Sequence, residues 1–259
     1  MKAYLASLNL RAIRLIRALP RKMNLVIAVW LALISLAGLF KVASSPSPIF
    51  SAGDLFNTAM PYLLIALAPI AGYRIALSAF GTRILPAQPA FRLALYGQWQ
   101  NLDPLRARSH PAFGPDAFMV SLMIGMLLNI PVRTLEFLAA VPAMNANAPA
   151  WGTTLFHVMA FDVIAMNFIY AVCFVMALRS IPLFPRMLGF AWVIDIVMQF
   201  AIAHRVGLEG DLPPVVGSAL QDLLNGNITK VLISVTIWLP YLLLSERVNV
   251  TFRARASAS

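Results

Sequence analysis

TTLFHVMAFDVIAMNFIYAVCFVMAL, residues 153–178, decides the fold class. A helix needs about 20 mostly apolar residues to cross the hydrocarbon of a bilayer. This run exceeds that length with Asp162 as its carboxylate and His157 as its imidazole. Backbone polar groups find no water in that layer, so such a segment crosses as a helix. Working outward, residues 25–40, 59–80 and 117–140 before it, and 187–203 and 229–244 after it, meet or approach the same test. Pro61 and Pro69 interrupt the second of these six, which leaves open whether it crosses fully. The expectation is an all-α, polytopic membrane helix bundle of about six transmembrane helices.

Composition agrees. Of 259 residues, 60% are hydrophobic and 12% charged, and the mean hydropathy is +0.79; a soluble domain carries about 25% charged residues. The net charge of +10 does not point to nucleic acid, because the cations fall at the ends and in alternate connections. Lysine and arginine in short connections mark the cytoplasmic side. The first segment holds Lys2, Arg11, Arg14, Arg17, Arg21 and Lys22 without an acid. Arg83, Arg92, Arg106 and Arg108 follow the second span, Arg179 and Arg186 the fourth, and Arg247, Arg253 and Arg255 the sixth. The other connections hold Lys41, no charge over 141–152, and Glu209 and Asp211 against Arg205. Both termini are therefore expected in the cytoplasm, in a bacterial inner membrane. A competing reading makes the first span a cleaved leader ending at Ala43–Ser44, but its basic region is long for one.

Five stretches organise the chain. Residues 1–22 form a basic amphipathic segment, with Leu8, Ala12, Leu15 and Leu19 on one helical face and Arg11, Arg14, Arg17 and Arg21 on the other. That pattern suits a helix lying among anionic headgroups, and Pro20 is expected to end it. Residues 23–80 make a two-helix part, and 81–115 a proline-rich cytoplasmic loop in which 91–99 is expected to form a short interfacial helix. A four-helix module spans 116–253, and 254–259 is a tail. The lone Cys173 lies inside an apolar run and reads as a small buried hydrophobe.

The last third carries a recognisable string: Ile237-Trp238-Leu239-Pro240-Tyr241, Ser245, Arg247-Val248 and Thr251-Phe252. It resembles the closing signature of the domain-of-unknown-function 2569 family, small bacterial inner-membrane proteins. Pro182-Leu183-Phe184-Pro185 is similar to that family's short central loop, and Asn129-Ile130-Pro131-Val132-Arg133 to its first span. The resemblance covers about residues 115–253 and implies a four-helix membrane module without an established activity. Glu246 stands where the family carries a basic residue, and residues 1–114 lie outside the match.

Charges inside a span are costly and face protein or water. Asn129, Arg133 and Glu136 form one stripe on the third span, where Pro131 removes a backbone hydrogen bond. The fourth span carries His157 and Asp162, and the fifth carries Asp195 and Gln199 at i, i+4. Counted from the outer ends, Arg133, Asp162 and Asp195 each lie roughly ten residues, or about 15 Å, down. Arg133 is expected to pair with Asp162, Asp195 or both, with Glu136 and His157 nearer the outer mouth. Such a cluster serves either to fix helix packing or as a proton or substrate pathway. Asn227, Lys230 and Ser234 recur on the sixth span, with Lys230 able to snorkel. Trp238, Tyr241 and Arg247 are expected at the inner interface, facing lipid or a partner.

Phosphate-binding loops, zinc-protease helices, nucleophile elbows and dinucleotide fingerprints are missing from the sequence. His110, His157 and His204 fall on different segments. No catalytic residue, metal or cofactor is therefore expected. The leading functional expectation is a non-enzymatic scaffold or accessory subunit contacting anionic lipid and a membrane-protein partner. The alternative is a small proton-linked transporter built on the charge cluster.

Overall fold

A computed structural model describes residues 2–81, 88, 89 and 97–258, with side chains among the first 17 described at Arg14 and Ile16. Its six long apolar helices are α1 (Lys2–Ala43), α2 (Ala52–Ala79), α4 (Ala117–Ala140), α5 (Ala150–Leu178), α6 (Phe184–Gly207) and α7 (Pro214–Leu244). The shorter elements are β1 (Trp99–Asn101), α3 (Pro104–Ser109), α8 (Glu246–Arg253) and β2 (Arg255–Ser257). This is an all-α, multi-pass membrane bundle.

Side-chain caps start α2 and α4. Ser51 and Asp54 form a capping box on α2: the Ser51 hydroxyl accepts from the Asp54 amide at 3.1 Å, and Asp54 accepts from the Ser51 amide at 3.1 Å. Asp116 caps α4 by accepting from the Met119 amide at 2.8 Å. The α2 helix runs unbroken through Pro61 and Pro69; at 28 residues and 1.5 Å per residue it reaches about 42 Å, enough to cross.

Helix α5 is the hub. It packs against α2, α4 and α6, and its buried side chains run from Gly152 to Ala177. The α2–α5 contact is close because Gly72 lacks a side chain: a Cβ there would sit 2.5 Å from the Phe168 carbonyl oxygen. Small residues allow such approaches between membrane helices. The Trp30 indole of α1 donates to the Ala66 carbonyl of α2 at 2.9 Å. Helix α7 is attached more lightly and buries Leu224, Val231 and Leu242.

Two apolar cores fill the bundle. One lies toward the arginine-rich end and includes Met126, Met166, Phe174, Phe184 and Leu188. The other lies toward the opposite end and includes Tyr62, Ile65, Phe137, Phe156 and Ile202. Between the two sits a layer of polar side chains.

Several expectations need correction. Pro20 does not end the amphipathic segment; α1 continues through it to Ala43. A proline removes one intrahelical hydrogen bond, and the helical turns on either side carry the helix across. Arg14 and Arg21 are exposed, while the side chains of Arg11 and Arg17 lie outside the described residues. The interfacial helix expected over 91–99 falls largely outside them as well; Trp99 belongs to β1. The tail is not free, since β2 pairs antiparallel with β1, Gln100 opposite Ala256.

Candidate functional site: a buried charge layer and its cleft

Arg133 of α4 joins three helices. Its Nη1 donates to Asp162 Oδ2 of α5 at 2.7 Å, and its Nη2 to Asp195 Oδ1 and Oδ2 of α6, each at 2.6 Å. Both carboxylates are buried, and Arg133 is 9% exposed. The one level expected from the three separate spans is therefore a single contact.

Further side chains complete the layer. The Tyr170 hydroxyl donates to Asp195 Oδ2 at 3.1 Å. Gln199 Nε2 reaches Asp162 Oδ1 at 3.4 Å and the Asp195 carbonyl at 3.3 Å, and its Oε1 accepts from Asn227 of α7 at 3.1 Å. Asn167 donates to the Thr134 hydroxyl at 2.9 Å. Buried charges are tolerated when paired and hydrogen-bonded, which is the state of all three here. One guanidinium against two carboxylates still leaves one formal negative charge in the layer.

Beside this layer α4 and α7 diverge. The cleft between them holds a cavity of about 150 Å³ bounded by Asn129, Arg133, Glu136, Tyr170, Lys230 and Trp238, among others. The polar stripes of α4 and α7 thus face each other, and Lys230 Nζ bonds Glu136 across the gap. The Nε–H of Arg133, which lines this cavity, has no hydrogen-bond partner among the described residues. Asp162 and Asp195 stand behind the guanidinium and do not line the cavity.

The structure separates other expected residues from the cluster. His157 is exposed, and its Nδ1 lies 2.8 Å from the Thr153 carbonyl of its own helix. It precedes Asp162 by five residues, which places it about 140° around the helix, away from Arg133. Glu136 pairs with Lys230 and not with the inner layer. Trp238 and Tyr241 are half-buried, and their rings lie 4.7 and 4.6 Å from that of the exposed Phe118. Aromatic pairing stabilises beyond burial alone, and the Tyr241 hydroxyl also donates to Asp116 at 3.1 Å. Arg247 ion-pairs with the same Asp116 at 3.5 Å and donates to the Gly114 carbonyl at 3.3 Å, so it too faces the protein.

Sequence reading missed Tyr170, Asn167 and Thr134 as members of the polar layer. Tyr170 lies eight residues after Asp162, and Asn167 five after it, so the fourth span did carry polar positions at more than one depth. No protein-family model, curated protein or solved structure matches the chain.

Proposed function

We propose that this protein is a non-enzymatic scaffold or accessory subunit of a bacterial inner-membrane complex, with both termini in the cytoplasm. The observation that carries the reading is the cleft between α4 and α7, whose largely apolar wall carries a row of polar side chains from both helices. Asn129, Glu136, Lys230 and Ser234 line it at a depth where lipid tails offer no hydrogen bonds. A partner helix bearing amide or hydroxyl groups satisfies such a wall better than acyl chains do. The charge layer behind it suits a fixed base, because each of its charged groups is already paired and hydrogen-bonded. The likeness of residues 115–253 to the domain-of-unknown-function 2569 family fits a membrane module without chemistry of its own. Anionic headgroups around the exposed Arg14 and Arg21 are the accompanying lipid contact.

A photo-crosslinking side chain at Ser234 tests this in native membranes. The expected result is a discrete crosslink to another polypeptide from Ser234 and none from Phe161, which is exposed on another helix face. Crosslinks from Ser234 to lipid alone contradict the proposal.

Two observations favour a second reading, a small proton-linked transporter. The layer carries one excess formal negative charge, and Arg133, whose buried Nε–H has no partner among the described residues, lines a cavity large enough for water. In reconstituted vesicles, a transporter loses proton-coupled uptake on Asp162→Asn while staying folded. An accessory subunit keeps its partner crosslink on the same change.

A further inference from the structure

The arginine-rich end of the bundle is built more elaborately than a topogenic signal requires. Orienting a membrane protein takes only charge in a short connection. Here the connection after α2 and the residues after α7 fold together into a cap. Leu102 donates its amide to the Ala254 carbonyl at 2.8 Å, and Gly114 donates to the Thr251 hydroxyl at 3.0 Å. Val248, Val250 and Phe252 of α8 are buried beneath it.

The cap borders an open cavity of about 400 Å³. Arg108 and Arg179 line it with Gln88, Ser180 and Thr251, and its lining contains no Asp or Glu. Among the described residues neither of these two arginines pairs with a carboxylate; Arg179 reaches only the Phe80 carbonyl, at 3.5 Å. The carbonyls ending α5 do not supply the missing negative charge, because they are already used. Ser180, at φ +52°, donates to the Ala177 carbonyl at 3.1 Å, and Ile181 to that of Met176 at 2.9 Å. That is the Schellman closure of a helix end. The Gln88 side-chain oxygen is buried without a partner among the described residues.

We propose that this cavity binds a phosphate-bearing ligand, with Arg108 and Arg179 on the phosphate and the organic body against Phe113 and Pro182. Arginine suits the group because its planar fork matches two phosphate oxygens. The volume exceeds that of a bare phosphate and falls in the range of small-molecule sites. A soluble phosphate ester and the headgroup of an anionic phospholipid share this chemistry. The site is independent of the α4–α7 cleft.

The test uses the purified full-length protein in neutral detergent. Thermal unfolding is followed against sn-glycerol 3-phosphate, with chloride at matched ionic strength as control. In parallel, phosphatidylcholine vesicles with and without phosphatidylglycerol supply the lipid, and native mass spectrometry reads which is retained. A saturable rise in Tm with glycerol 3-phosphate assigns a soluble ligand, and selective retention of phosphatidylglycerol assigns a lipid headgroup. In either arm Arg108→Gln and Arg179→Gln each weaken binding about tenfold, and Arg205→Gln, an exposed arginine already paired with Glu209, leaves it unchanged. Arg108 is exposed and outside the bundle core, so its variant still reports on binding if Arg179→Gln misfolds. Response to neither probe beyond the controls, or undiminished binding by a folded Arg108→Gln variant, overturns the proposal.

Discussion

Arg133 shows how one side chain can hold three membrane helices. Its guanidinium faces two buried carboxylates at 2.6–2.7 Å, so removing it strands both. Arg133→Leu is expected to cost about 3–5 kcal/mol of unfolding free energy, as for other buried pairs that lose one partner. Tyr170→Phe removes one hydrogen bond to Asp195 and is expected to cost about 1 kcal/mol. His157→Ala, on the exposed face, is expected to stay within about 0.5 kcal/mol of the parent. Unfolding in mixed micelles reads all three. At this scale the sequence was legible wherever a charge stood in an apolar run, because the cost of burying it demands a partner. Tyr170 and Asn167 were not, since a neutral polar group demands a partner less strongly than a charge does, and the outward turn of His157 depends on helical phase and not on depth.

Helices were legible from length and hydropathy, and their ends less so. A proline reads as a stop at Pro20, yet α1 passes through it, as α2 passes through Pro61 and Pro69. The β1–β2 pair was invisible because its strands are three residues long and lack apolar alternation. The pairing of Glu136 with Lys230 joins residues far apart in the chain, which periodicity within one helix does not reveal. Close packing of α2 on α5 makes its own prediction. Gly72→Ala drives a Cβ into the Phe168 carbonyl and is expected to cost about 1–3 kcal/mol. Gly189→Ala, on α6 with open space around it, is expected to be neutral or to stabilise by up to about 1 kcal/mol. Equal effects of the two substitutions in thermal unfolding would count against the close α2–α5 contact.

For the whole molecule, two apolar cores stack with a charge layer between them, and α7 packs beside them to leave the cleft. The boundary expected at residues 81–115 divides the sequence, but α2 packs on α5 across it, because spans far apart in sequence share one core. If both termini are cytoplasmic, single cysteines placed at Asn147 and at Asp211 should react with a membrane-impermeant thiol reagent from the periplasmic side. A cysteine at Ser257 should be protected until the membrane is opened. If the charge layer locks the bundle, Arg133 and Asp195 are energetically coupled, and a double-mutant cycle tests that directly. Unfolding free energies of Arg133→Leu, Asp195→Leu and the combined variant give the coupling between the two positions. The account predicts a coupling of about 2–3 kcal/mol, with the double variant nearer the parent than the sum of the single losses. Single losses that add to within about 0.5 kcal/mol would mean that the pair does not hold the bundle together.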